Sequence, residues 1–183
     1  MARSRPTTLL AGVIISTALL GVLPVPTVQA DDDHDENRSK RSFRVRLDPF
    51  QEVPSVSSVA KGEFRLRISR DGQSMDYELS YSGLEGPVRQ AHIHFGQKSV
   101  NGGVSVFLCQ TTLNPDPTGR APTCPQQGTV TSTLTAANMV AILGQGLVPP
   151  EFGDLIKAVR AGKTYANVHS TTFQGGEIRA QIK

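Results

Sequence analysis

From Phe43 onward the chain alternates apolar and polar positions with a period of two. Phe43, Val45 and Leu47 alternate with Arg44, Arg46 and Asp48, and Phe64, Leu66 and Ile68 alternate with Arg65, Arg67 and Ser69. Such alternation is the signature of a half-buried strand. Asp71-Gly72 marks a hairpin turn, and Met75, Tyr77, Leu79 and Tyr81 carry the period onto the return strand. It recurs over Val88 to Phe95, at Val104, Val106 and Leu108, and over Gly128 to Leu134, Tyr165 to His169 and Glu177 to Ile182. Pro49 and Pro54 bracket Phe50-Gln51-Glu52-Val53 as a strand end or turn. Residues 96–103 and the Pro-, Thr- and Gly-rich stretch 113–127 read as loops. Two segments have helical character. Thr135 caps Ala136 to Leu143, with Gly144 as the stop; the second runs from about Phe152 to Ala161, with Leu155, Ile156 and Val159 on one face and Gly162 as the stop. About eight short strands, no β-α-β alternation and helices confined to about 135–161 predict an all-β fold. Its form is an antiparallel sandwich or barrel of Greek-key type.

The N-terminus changes the picture of where this fold works. Arg3 and Arg5 precede an apolar run from Leu9 to Leu23, broken only by Gly12, Ser16, Thr17 and Gly21. Pro24 and Pro26 end it, and Val28-Gln29-Ala30 has the small residues that signal peptidase reads. Residues 1–30 therefore predict a signal peptide cleaved after Ala30, the alternative being an uncleaved anchor that is short for a membrane span. Asp31-Asp32-Asp33-His34-Asp35-Glu36 holds no apolar residue, and with the basic linker Asn37 to Ser42 it predicts a disordered tail over 31–42. The folded domain is then 43–183. Without Arg3 and Arg5, 17 of the 19 basic residues remain against 16 acidic ones. That near balance, with no basic stripe, excludes a nucleic-acid surface. Secretion or a periplasmic location follows, with no stable membrane span after cleavage. In an exported chain the pair Cys109 and Cys124 reads first as a disulfide, worth about 3 kcal/mol for a loop of this size. Thiolate metal ligation is the weaker alternative, since the spacing is not that of a CxxC motif.

Candidate chemistry lies in Ala91-His92-Ile93-His94-Phe95-Gly96 and Tyr165-Ala166-Asn167-Val168-His169. On a strand, His92 and His94 leave the same face, while Ala91, Ile93 and Phe95 take the core side. His169 has the same relation to Ala166 and Val168. Three imidazoles on the outer, polar faces of two strands form a copper or zinc site if those strands are neighbours. By the same parity Tyr165, Asn167, Glu177 and Arg179 are candidates to surround it, a carboxylate orienting an imidazole and the guanidinium attracting a small anion. The bland alternative is that the histidines only satisfy hydrogen bonds on a polar sheet face.

Five ordered segments carry a resemblance: Phe50-Gln51-Glu52-Val53-Pro54, Ala91-His92-Ile93-His94, Asn101-Gly102-Gly103-Val104, Tyr165 to Ser170, and Gly176 to Gln181. Together, over about 43–183, the chain resembles the CHRD domain, a module named after chordin that also occurs as small exported bacterial proteins. Ala180 and Ser170 stand where that pattern usually has Gly and Thr. The resemblance implies an immunoglobulin-like β-barrel with distant similarity to copper,zinc superoxide dismutases, which also carry a His-x-His strand. It implies no settled activity. The zinc-binding subloop of those dismutases, rich in His and Asp, has no counterpart in residues 96–103, and no fourth histidine within the fold bridges two metals. Three functions stay open: extracytoplasmic binding of one copper or zinc ion, a metal-free module that recognises an extracytoplasmic protein or envelope component, and a dismutase-like redox enzyme.

Overall fold

The computed structural model describes residues 40–183, so the expected signal peptide and all but the last residues of the expected tail lie outside the described residues. Eight strands form: β1 (Ser42–Leu47), β2 (Lys61–Ile68), β3 (Met75–Ser82), β4 (Val88–Phe95), β5 (Gly103–Cys109), β6 (Gly128–Leu134), β7 (Thr164–Ser170) and β8 (Ile178–Ile182). They build two antiparallel sheets of four strands, ordered β1-β2-β3-β6 and β5-β4-β7-β8. Consecutive strands pair at β1–β2, β2–β3, β4–β5 and β7–β8, and longer crossings set β6 beside β3 and β7 beside β4. That is a Greek-key sandwich, as the alternation predicts.

The apolar halves of the strands meet between the sheets. Phe64, Ile68, Met75 and Leu79 from the first sheet are fully buried against Ile93, Leu108, Val168 and Ile178 from the second. Each such side chain stabilises the fold by about 1.5–3 kcal/mol. The hydroxyls of Tyr77 and Tyr81 reach across to the carbonyls of Leu108 and Pro125, so neither ring is buried with an orphaned oxygen. Cys109 and Cys124 are joined in a disulfide that ties the 113–127 loop to the end of β5.

The helical insertion differs from expectation at one of its two segments. Helix α1 (Phe152–Arg160) forms, buries Leu155, Ile156 and Val159, and ends before Gly162 at φ +64°. The expected helix Ala136–Leu143 does not form; only single 3-10 turns occur, at Ala136–Asn138 and Leu143–Gln145. Asn138 Oδ1 closes the first turn by accepting from both Thr135 N and Thr135 Oγ1. After that turn Met139 becomes extended and buried against Val106, and the Val140 amide donates to the Ser105 carbonyl. The chain spends its amides on the edge of β5 instead of on a second helical turn, a tertiary override of a weak local preference.

Candidate metal centre

β4 and β7 are adjacent and antiparallel, which places His94 opposite Tyr165, His92 opposite Asn167 and His169 opposite Gln90. The structure thus brings together all three histidines that the sequence singles out. One ring nitrogen from each of His92, His94 and His169 lies within 4.8 Å of the others. His92 Nδ1 is 3.2 Å from His169 Nε2. Register shifts between β4 and β5 at Ala91/His92 and Ile93/His94 put Phe107 directly against His92, ring centroids 4.3 Å apart.

The histidines point away from the core as parity requires, but that face is not open to water. His92, His94 and His169 are only 1%, 8% and 5% exposed, and every residue of β7 is buried. The expectation of an outer, solvated face is corrected here, and the cause is loop cover. The chain after β1 folds back as a 3-10 turn, Pro49–Gln51, and Asp48 pairs with Arg179 on β8 through both backbone hydrogen bonds. The 96–102 loop meets it through Asn101 Nδ2 donating to the Val53 carbonyl. Arg179 fastens that second loop by donating to Asn101 Oδ1 and to the Val100 carbonyl.

Burial decides the charge state of the rings. Desolvation pushes the pKa of His94 and of His169 down to about 4, against smaller upward pulls from the carbonyls of Gly102 and Gln174. His92 is pushed well below its ordinary value by burial first and by the neighbouring histidines second. All three are neutral imidazoles at pH 7, the form that ligates metal. Two are also oriented. His94 Nδ1 donates to the Gly102 carbonyl at 2.9 Å, and His169 Nδ1 donates to the Gln174 carbonyl at 2.9 Å. Backbone carbonyls on Nδ1 fix the tautomer and leave Nε2 as a lone pair, the arrangement usual behind metal-bound histidine.

The surrounding candidates divide. Asn167 Oδ1 sits 3.0 Å from His169 Nε2. The Tyr165 ring is stacked on His94 at 4.7 Å with an interplanar angle of 4°, and the Arg179 guanidinium lies over the same ring at 3.3 Å. Arg179 therefore supports Tyr165 and the covering loop. Glu177 is used elsewhere: its Oε1 accepts from Ser58 Oγ and from the Glu85 amide, tying the β2 and β4 approaches together. The Glu52 carboxylate, to which strand parity assigns no role, is buried beside the site. Its pKa rises to about 7 through desolvation, with Arg179 and the Asn167 amide pulling it down. Glu52 belongs to a loop, so period-two reasoning has no purchase on it; the only signal is its place in the Phe50–Pro54 segment.

An eight-stranded Greek-key sandwich with a histidine cluster on the second face of one sheet defines the class. The CHRD domain family model matches residues 43–182, and the chain belongs to that family. No curated protein and no solved structure matches the chain. Family membership and the disulfide fit an extracytoplasmic domain. Among the described residues no helix is long and apolar enough to cross a membrane.

Proposed function

We propose that this CHRD-domain protein is exported and binds one copper or zinc ion through His92, His94 and His169. The observation that supports the reading best is the shortage of protons in the cluster. His94 and His169 spend their Nδ1 protons on carbonyls. A proton on His92 Nδ1 serves His169 Nε2, after which the buried Nε2 atoms of His92 and His94 have no partner. A buried lone pair without a partner costs about 1–3 kcal/mol. A cation held by His92 Nδ1 and by the Nε2 atoms of His94 and His169 takes up the orphaned pair of His94 and replaces the shared proton between His92 and His169. Nitrogens bound at 2.0–2.1 Å around a tetrahedral ion stand about 3.3 Å apart, so the His92–His169 spacing already fits and His94 moves inward on binding. Export is supported by the N-terminal pattern of Arg3, Arg5, the Leu9–Leu23 run and Ala30.

Metal analysis and calorimetric titration of the mature protein, beside a His92→Ala/His94→Ala double variant, test the reading. One equivalent of zinc or copper in the parent and none in the folded variant is the expected result. Equal stoichiometry and affinity in both removes the site.

A further inference from the structure

We propose that Asn167 Oδ1 is the fourth ligand of this site, closing an N3O shell around a divalent ion and leaving no coordination position for a substrate. The inference rests on the three-histidine reading above and specifies its coordination.

Asn167 is 2% exposed and lies on β7, two residues before His169 and directly opposite His92 of β4. Its Oδ1 lies 3.0 Å from His169 Nε2. These two atoms are both acceptors. The one proton of neutral His169 is on Nδ1, held by the Gln174 carbonyl, and a carboxamide oxygen carries none. Turning the amide over does not remove the conflict but moves it, because the Asn167 amide nitrogen sits against the Glu52 carboxylate. Both crowd the α-carbon of Gly176, where a Cβ would lie 2.8 Å from Asn167 Nδ2 and 2.5 Å from Glu52 Oε1. The glycine has φ +131°, so the backbone there is one that side chains rarely adopt. Two arrangements end the conflict: a cation shared by the acceptors, or a proton held between Glu52 and a turned amide. The first fits the distances. Separations of 3.0 Å (Asn167–His169) and 3.2 Å (His92–His169) approximate the edges of one tetrahedron of donors, about 3.3 Å for bonds of 2.0–2.1 Å.

The donor set bears on the metal. Three imidazoles and a carbonyl oxygen suit zinc(II) or copper(II) better than copper(I), which is selected by softer sulfur ligands. Glu52, behind the Asn167 amide, supplies a compensating negative charge one shell out. A closed shell makes the ion a resident one, held for stability or storage.

Cobalt(II) substituted into the mature protein reads the shell directly through its visible spectrum. In the parent, the expected spectrum is that of a four-coordinate ion, unchanged by azide and unchanged between pH 6.5 and 8.5. In Asn167→Ala, water takes the vacated position, so the spectrum shifts, responds to azide, and titrates near neutral pH as metal-bound water does. Asn167→Asp restores an oxygen at the same place, returns the insensitivity to azide, and binds zinc roughly tenfold or more tighter than the alanine variant. A parent spectrum that itself takes azide or titrates overturns the fourth ligand, whether or not the variants fold. So does an alanine variant with the parent's spectrum. A parent that takes up no cobalt or zinc at all overturns the three-histidine site instead.

Discussion

Acidification of the metal-free protein should expose the cost of keeping the histidines buried. His94 and His169 have pKa values near 4 in the fold and 6.5 when unfolded. Their folded pKa values are depressed, so the stability they contribute is present above pH 6.5 and lost as pH falls towards 4. At about 1.4 kcal/mol per pH unit, the two together withdraw about 5 kcal/mol between pH 6.5 and 4.5. Glu52 has the opposite sign. Its pKa is raised from 4.5 to about 7 in the fold, so its contribution is present below pH 4.5 and lost as pH rises to 7. Acidification from pH 7 to 4.5 therefore returns about 3 kcal/mol through Glu52, leaving a net loss of about 2 kcal/mol from the three groups. His92 shifts in the same direction as the other histidines and deepens the loss. For a domain whose total stability is about 5–15 kcal/mol, the effect is measurable. Urea unfolding followed by far-UV circular dichroism, with chelator present and the disulfide intact, measures it at pH 7.5, 6.5, 5.5 and 4.5. Glu52→Gln removes the opposing contribution, so its stability must fall more steeply over the same window, by about 5 kcal/mol or more from the histidines alone. A flat or rising curve for the Glu52→Gln variant, or a slope shallower than the parent's, refutes the reasoning.

Two further substitutions probe the frame of the site. Replacing Cys109 and Cys124 together by alanine opens the link between residues 15 apart and should cost about 3 kcal/mol in urea unfolding, while zinc affinity stays near the parent's because β4 and β7 are untouched. Gly102→Ala should reach the site itself: a Cβ there collides with the Phe95 carbonyl, and the Gly102 carbonyl holds His94 Nδ1, so in the folded variant zinc affinity measured by competition should fall roughly tenfold or more, and an unchanged affinity would show that this carbonyl does not position His94.

How much of this is legible in the sequence depends on which physical rule each residue obeys. Strands obey local parity, and the apolar sets Phe64-Leu66-Ile68 and Met75-Tyr77-Leu79-Tyr81 are buried as their spacing predicts. Parity also groups His92, His94, His169, Asn167 and Tyr165 correctly on one face. It does not say whether β4 and β7 are neighbours, because that pairing spans the whole β5–β6 excursion and α1. Nor does it say what lies over the face. Polar residues on alternate positions read as solvated, and the loops that cover them, 49–56 and 96–102, have no period to read. Glu52 is lost to sequence reasoning for the same reason. The segment 136–143 fails differently: Asn138 folds back on Thr135 to close one turn, and the Ser105 carbonyl then captures the Val140 amide.

The two sheets treat their second faces in opposite ways, and the contrast carries the functional argument. The first sheet presents Arg44, Glu63, Arg65 and Glu78 to water, linked by ion pairs that contribute about 0–1 kcal/mol each. On the second sheet His92, His94, Asn167, His169 and Arg179 are all buried under loops, and Glu52 is buried in one of those loops. Apolar side chains of similar volume would commonly hold such a face at equal or greater stability. The unpartnered Nε2 atoms of His92 and His94 add a direct penalty. A fold that keeps polar groups in a dry place is destabilised by them until something satisfies them, and departures of this kind concentrate at functional sites. A cation bound only by the native state adds RT ln(1 + [M]/Kd), about 4 kcal/mol when the metal stands at 1,000 times its Kd. That is the size of the deficit the histidines create. The same groups that make the metal-free domain acid-sensitive would then make the metal-bound one resistant, and zinc added at pH 7.5 should raise the urea midpoint of the parent but leave that of His92→Ala/His94→Ala where it was.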